Sequence, residues 1–207
     1  MRAALLLAAL LAPCAASAQA PPPGLPRLPS PAPTTPAVRA TSAPVARSRA
    51  ATEPLFGALK QAGNEELAGT IENQIQAHWA NAASPAIKLL LSRGARELSE
   101  AAANDALESF DAALDLDPDV LDAWRGRAAA RLRTGDTAGA ARDLQEMLKR
   151  EPRSFAAWQD LSRVAEARGD WRGALSAWQK LLEIDPRSPG GQARLKDLRR
   201  KVLGEDA

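Results

Sequence analysis

Tyrosine is absent from this chain, and cysteine and histidine occur once each, as Cys14 and His78. A lone cysteine closes no disulfide within the chain and supplies no cysteine set for zinc. A lone histidine with scattered carboxylates has no zinc-ligand spacing. Asp-Leu-Asp-Pro-Asp-Val-Leu-Asp (115–122) has the acidity of a calcium loop without its central glycine and final glutamate. Phosphate-cradling Gly-x-x-x-x-Gly-Lys and Gly-x-Gly-x-x-Gly runs are missing, and so is the Gly-x-Ser-x-Gly turn of a serine nucleophile. His78 therefore reads as a helix-surface residue, and neither a metal, a cofactor nor a catalytic residue is expected. An enzyme with an unrecognised site stays open as the weakest alternative.

Long hydrophobic runs are also lacking. The longest, Ala3–Ala12, falls short of the roughly 20 residues that span a bilayer. It follows Arg2 and precedes small residues in the pattern Ala16-Ser17-Ala18 or Ala18-Gln19-Ala20. Residues 1–20 thus read as a secretory signal peptide, which makes the expected location exported and periplasmic. A second reading takes Leu-Ala-Pro-Cys as a lipoprotein site with Cys14 lipidated, although Pro13 stands where Gly, Ala or Ser is usual. An uncleaved or lipidated N-terminus is the expected route to a membrane. Residues 21–54 hold ten prolines and few aliphatic side chains, the composition of an extended, disordered tether.

The overall charge of +2 divides unevenly. Residues 21–54 carry +3, whereas 55–207 have 22 Lys+Arg against 24 Asp+Glu, a net of −2. The part expected to fold is not basic, which argues against a nucleic-acid partner.

What is present is periodicity. Pro118, Pro152 and Pro186 lie 34 residues apart, as do Trp124 and Trp158, Gly135-Asp136 and Gly169-Asp170, and Ala106, Ala140 and Ala174. This period predicts a repeated helix-turn-helix unit. Gly135 and Gly169 suit a left-handed turn ending the first helix of a unit, and Asp136 and Asp170 suit caps on the second. Asp117-Pro118, Glu151-Pro152 and Asp185-Pro186 end the second helix. Gly94, Ala128 and Ser162 should let helices approach. Leu90, Trp124, Trp158, Phe110, Leu144 and Trp178 should fill the space beside them.

Three runs carry a family pattern: Leu90, Gly94, Ala106, Phe110, Pro118; then Trp124, Ala128, Ala140, Leu144, Pro152; then Trp158, Leu161, Ser162, Ala174, Trp178, Pro186. They resemble tetratricopeptide repeats, with the family's tyrosine missing throughout. The expected fold is an all-α solenoid of units at 87–120, 121–154 and 155–188. A degenerate helix pair at 55–86, with Leu67, Ile71, Ile75 and Trp79 on one stripe, should pack on the first unit. A capping helix at 189–207 should start with Ser188 as N-cap and Pro189 in its first turn, and bury Leu195, Leu198 and Val202.

The resemblance also implies a groove lined by the first helix of each unit: Lys88, Leu91, Ala95 and Leu98; Asp122, Arg125, Ala129 and Arg133; Ala156, Gln159, Arg163 and Glu166. Lys88, Arg125, Arg133 and Arg163 offer cationic points to an acidic or carboxylate-bearing segment, although solvated helix surface accounts for exposed arginines equally well. The lysine and asparagine arrangement of the subgroup that binds chaperone tails is not seen. The expected function is a non-catalytic scaffold holding a protein or peptide partner, with a self-associating structural module as the alternative.

Overall fold

The computed structural model describes residues 43–204, so the signal-peptide, lipidation and most of the tether expectations lie outside the described residues. These residues form nine helices and no strands: α1 (Ala43–Lys60), α2 (Glu65–Ala82), α3 (Pro85–Ser99), α4 (Ala103–Leu116), α5 (Leu121–Arg133), α6 (Thr137–Arg150), α7 (Phe155–Ala167), α8 (Trp171–Ile184) and α9 (Gly191–Leu203). The expected all-α helical repeat fold is what they build. Helices α4, α6 and α8 begin at 103, 137 and 171, on the 34-residue period.

The turns form for the reasons read in the sequence. Gly135 and Gly169 have φ of 85° and 71°, and the next residue caps the following helix. Asp136 accepts the Gly139 N–H at 2.7 Å, and Asp170 accepts that of Gly173 at 2.8 Å. Repeat one lacks both devices. Ala101 stands in the glycine position at φ 61°, and Ala102 at the cap makes no side-chain bond. Ser84 and Ser154 cap α3 and α7 through the N–H groups of Ile87 and Ala157.

Packing follows the small-against-large pattern. Ala106, Ala140, Ala174 and Ser162 are fully buried, and the Phe110 ring fills the space beside Gly94. The large residues of the first helices depart from expectation. Leu90, Trp124 and Trp158 are half-buried, because both indoles reach back to the preceding loop. Trp124 donates to the Pro118 carbonyl at 2.7 Å, and Trp158 to that of Pro152 at 3.1 Å. Trp178 is buried and ties α8 to α9 through the Gly191 carbonyl, 2.9 Å away.

Three boundaries need correction. First, the tether ends earlier than residue 54, since α1 begins at Ala43 and contains Pro54. Pro44 falls in the first turn, where no N–H is needed. The helix runs on past Pro54 because Thr52, Phe56 and Leu59 are buried in its packing face. Second, α9 starts at Gly191 rather than at Pro189. Its N-cap is Gly190, at φ 68°, which turns the chain where a residue with a Cβ is strained. Of the expected stripe, Leu198 is buried and Leu195 and Val202 are half-buried.

Third, the N-terminal hairpin does not cap repeat one. Leu67 is 48 % exposed, and Ala68 takes its place beside Ile71, Ile75 and Trp79. With Phe56 and Leu59 of α1, this stripe packs against Phe155, Ala156, Ala174, Trp178, Leu181 and Leu198, all from repeat three and α9. Only Ala83, after the end of α2, joins the cluster around Ile87 and Val120. The 18 residues of α2 span about 27 Å, and neighbouring helix layers lie roughly 10 Å apart. One such helix therefore reaches across the loops that follow all three repeats. Polar bonds from both helices of the hairpin fasten it there. Arg49 donates to the Arg150 carbonyl at 2.5 Å, Arg153 pairs with Glu53 at 3.0 Å, and Glu65 accepts the Gly190 N–H at 3.1 Å.

Candidate partner-binding groove

The first helices of the repeats, α3, α5 and α7, present a face with three hollows in succession. The first, about 520 Å³, is lined by Lys88, Leu91, Ser92, Ala95, Leu98, Phe110, Asp122 and Gly126, with Ala80 and Asn81 of α2 as one wall. Its floor is apolar, formed by Leu91, Ala95 and Leu98, with the buried Phe110 ring packed beneath Gly126. A Cβ at 126 would lie 2.2 Å from that ring. The second, about 190 Å³, lies between α5 and α7 and holds Arg125, Ala129, Arg133, Asp160 and Arg163. The third, about 300 Å³, is lined by Gln159, Arg163, Glu166, Trp178, Pro189, Gly190 and Arg194.

The helical register thus brings eleven of the twelve groove residues to the hollows. Ala156 is the exception. It is buried under the N-terminal hairpin, 3 % exposed and in the same cluster as Trp79.

The charges are arranged differently from the cationic row that the sequence suggests. Asp160 accepts from Arg125 at 2.7 Å and from Arg163 at 3.2 Å, so one carboxylate bridges two of the four cations. Arg194 of α9 pairs with Glu166. Arg133 makes a long contact to the Leu98 carbonyl, 3.5 Å, and Lys88 is exposed. Asp122 is half-buried, and desolvation raises its carboxyl above the usual range, against the pull of Arg125. The middle hollow therefore combines three guanidinium groups with one carboxylate, a rim that favours an anionic group entering it.

Asp160, Arg194, Asn81 and Phe110 were missed as lining residues. For Asp160 a signal existed. Ser92, Gly126 and Asp160 share one repeat position, spaced by 34, and all three line hollows. Asn81 had none, since its place depends on where the hairpin docks.

Elsewhere the chemistry is sparse. His78 is exposed, and its carbonyl accepts from Ser48 at 3.0 Å. A cavity beside Trp79, Val120 and Glu151 measures about 30 Å³, the room of one or two waters. Among the described residues there is no group of three metal-ligating side chains, and no helix is long and apolar enough to cross a membrane.

Comparisons with known proteins agree with this architecture. The chain is 28 % identical over 96 residues to a TPR repeat-containing protein of Rhizobium etli. The matched stretch covers 46 % of this chain and 47 % of that protein, so the chain spans about half the length of the curated relative. In structure it is similar to the Sgt2 TPR domain from Aspergillus fumigatus, with a TM-score of 0.55 and 24 % identity over 60 % of this chain and 83 % of that one. It is also similar to the first TPR of Spaghetti (RPAP3) bound to an HSP90 peptide, with a TM-score of 0.54 and 18 % identity over 58 % and 95 %. A third is the TPR2AB domain of yeast Sti1 in complex with an HSP90 peptide, with a TM-score of 0.52 and 14 % identity over 77 % and 64 %. Two family models described as tetratricopeptide repeat match residues 95–146 and 131–201. Together the matches run over 95–201, more than half of the chain, and it belongs to the tetratricopeptide-repeat family.

Proposed function

We propose that the chain is a non-catalytic scaffold that holds an extended segment of a protein partner along α3, α5 and α7. One observation carries the reading: three hollows follow one another on that face, apolar at the first and rimmed by Arg125, Arg133 and Arg163 at the second. A peptide with an apolar side chain for the floor of Leu91, Ala95 and Leu98 and a carboxylate for the arginine rim matches both. Tetratricopeptide-repeat domains generally mediate protein–protein interaction, and two of the similar structures hold a peptide. Nothing identifies the present partner with theirs. The reading of residues 1–20 as a signal peptide puts the work in the bacterial periplasm, a placement tested by cell fractionation with N-terminal sequencing of the mature chain.

The groove is tested by blocking it without touching an ion pair. Ala95 and Ala129 are exposed and line the first and second hollows. A photo-crosslinker at either position should capture a partner, and a crosslinker at Arg142 or Gln179 should not. Ala129→Trp should reduce affinity for the purified partner at least tenfold with helical content unchanged. Equal capture from the two faces, or undiminished affinity in the Ala129→Trp variant, contradicts the reading.

A further inference from the structure

An acidic residue closes the second helix of every repeat, and two of the three are balanced locally. Asp117 accepts the Asp119 N–H at 2.9 Å and is only half-buried. Glu151 accepts the Arg153 N–H at 3.1 Å and pairs with the Arg153 guanidinium at 3.3 Å. Asp185 has the same backbone bond, from Arg187 at 3.1 Å. It is, however, fully buried, and its Oδ2 has no donor. Arg187 is exposed. What acts on Glu72, in the middle of α2, is the carboxyl of Asp185 and not a cation. The Ser188 hydroxyl donates to Glu72 Oε1 at 3.1 Å. Two carboxyl groups so placed do not both ionise, and one proton between them supplies the donor that Asp185 Oδ2 lacks.

We propose that Glu72 and Asp185 share a single proton and form a proton-dependent clasp fastening the N-terminal hairpin to repeat three. Burial, then the bond and the charge of Asp185, push Glu72 up to about 8, with Ser188 opposing. Among the described residues, the charge acting on it is that of Asp185. Glu65 is engaged with the Gly190 N–H, and on α1 Glu53 and Arg49 are engaged with Arg153 and the Arg150 carbonyl. The sign follows from linkage. The docked hairpin holds a proton that the undocked hairpin releases above the ordinary carboxylate range. Docking is therefore tightest in acid, weakens as pH climbs toward 8, and levels off beyond it. The far end of the same helix supplies Ala80 and Asn81 to the wall of the first hollow, so a looser hairpin also alters that hollow. The clasp itself stands whether or not the groove holds a peptide.

The test uses the purified chain, its Glu72 carboxyl carbon followed by NMR and its amide protection factors by hydrogen exchange, from pH 5 to 9. Glu72 should titrate more than two pH units above an ordinary glutamate. Protection in α2 should fall about tenfold relative to α6 across this range, given the partial solvent access of the group. Glu72→Gln, whose amide donates to Asp185 at every pH, should make α2 protection independent of pH. Asp185→Asn should return Glu72 to the ordinary range. A Glu72 that titrates below pH 5.5, or α2 protection that falls equally in the Glu72→Gln variant, overturns the clasp.

Discussion

Trp79 of α2 stacks on Phe155 at the start of α7, with ring centroids 5.9 Å apart and 29° between the planes. Phe56 of α1 also meets Trp79, tilted at 6.2 Å, and the Arg153 guanidinium lies over Phe56 at 4.1 Å. The four residues come from the hairpin, from the loop that closes repeat two and from the start of repeat three, so they join segments far apart in sequence. The Trp79 indole N–H has no partner, so the residue serves through its apolar area. Trp79→Ala should cost about 3–5 kcal/mol in urea unfolding, the range of a large aromatic deletion. Trp79→Phe, which also removes the unbonded N–H, should cost clearly less.

Repeat one carries a strained turn that its neighbours avoid. Ala101 holds φ 61° where Gly135 and Gly169 hold similar angles without a Cβ. Ala101→Gly should raise stability by about 1 kcal/mol, the cost of a left-handed alanine offset in part by the entropy of glycine. Ala102→Asp should restore the missing cap for about 1 kcal/mol more. Denaturation midpoints check both, and a loss of stability in Ala101→Gly contradicts the strain.

Gly126 is required by the Phe110 ring, not by its own backbone. Gly126→Ala should destabilise by about 1–3 kcal/mol through overpacking. Combined with Phe110→Leu it should cost less than the sum of the two changes, because the smaller side chain vacates the space. A double-mutant cycle with no coupling would place the strain elsewhere.

How much of this was legible in advance follows from which interactions repeat. The period, the glycine turns, the caps and the small-residue contacts are local or nearest-neighbour features, and they recur every 34 residues. Eleven groove positions were likewise fixed by helical register. The docking of the hairpin was not legible. Ile71, Ile75 and Trp79 identify a buried stripe but not the surface that buries it, and the loops after Pro118, Pro152 and Pro186 are equally available to a helix of that length. Ala156 and Asn81 followed that misplacement, one leaving the groove and the other entering it. The place of Asp160 on the groove face was legible from its repeat position, but its ion pairs were not, since they depend on side-chain reach between α5 and α7.

Two repeats solve one polar contact in opposite ways. Asp143 on α6, 2 % exposed, binds Arg127 and Arg131 of α5, each at 2.7 Å. The same positions in repeat one hold Ser109 on α4 with Arg93 and Glu97 on α3, where the serine donates to Glu97 at 2.6 Å. Asp143→Ser alone removes the buried carboxylate that the two arginines share, leaving Arg127 with Asp111 and Arg131 with a long contact to Asp136, and should cost about 2 kcal/mol. Adding Arg131→Glu rebuilds the repeat-one arrangement and should recover most of the loss. Additive costs would show that the two networks are not equivalent.

The most direct test of the account is a disulfide between α2 and the turn before α9. A Cβ at Gly69 would lie 3.3 Å from Pro189 Cγ, so side chains at the two positions are in direct contact. In a Cys14→Ser background, Gly69→Cys with Pro189→Cys should close within one molecule on air oxidation. Gly69→Cys with Leu98→Cys, the pair that an antiparallel packing of α2 on α3 would bring together, should stay reduced. The reverse outcome, a bond to position 98 and none to 189, would contradict a hairpin that lies along the inter-repeat loops.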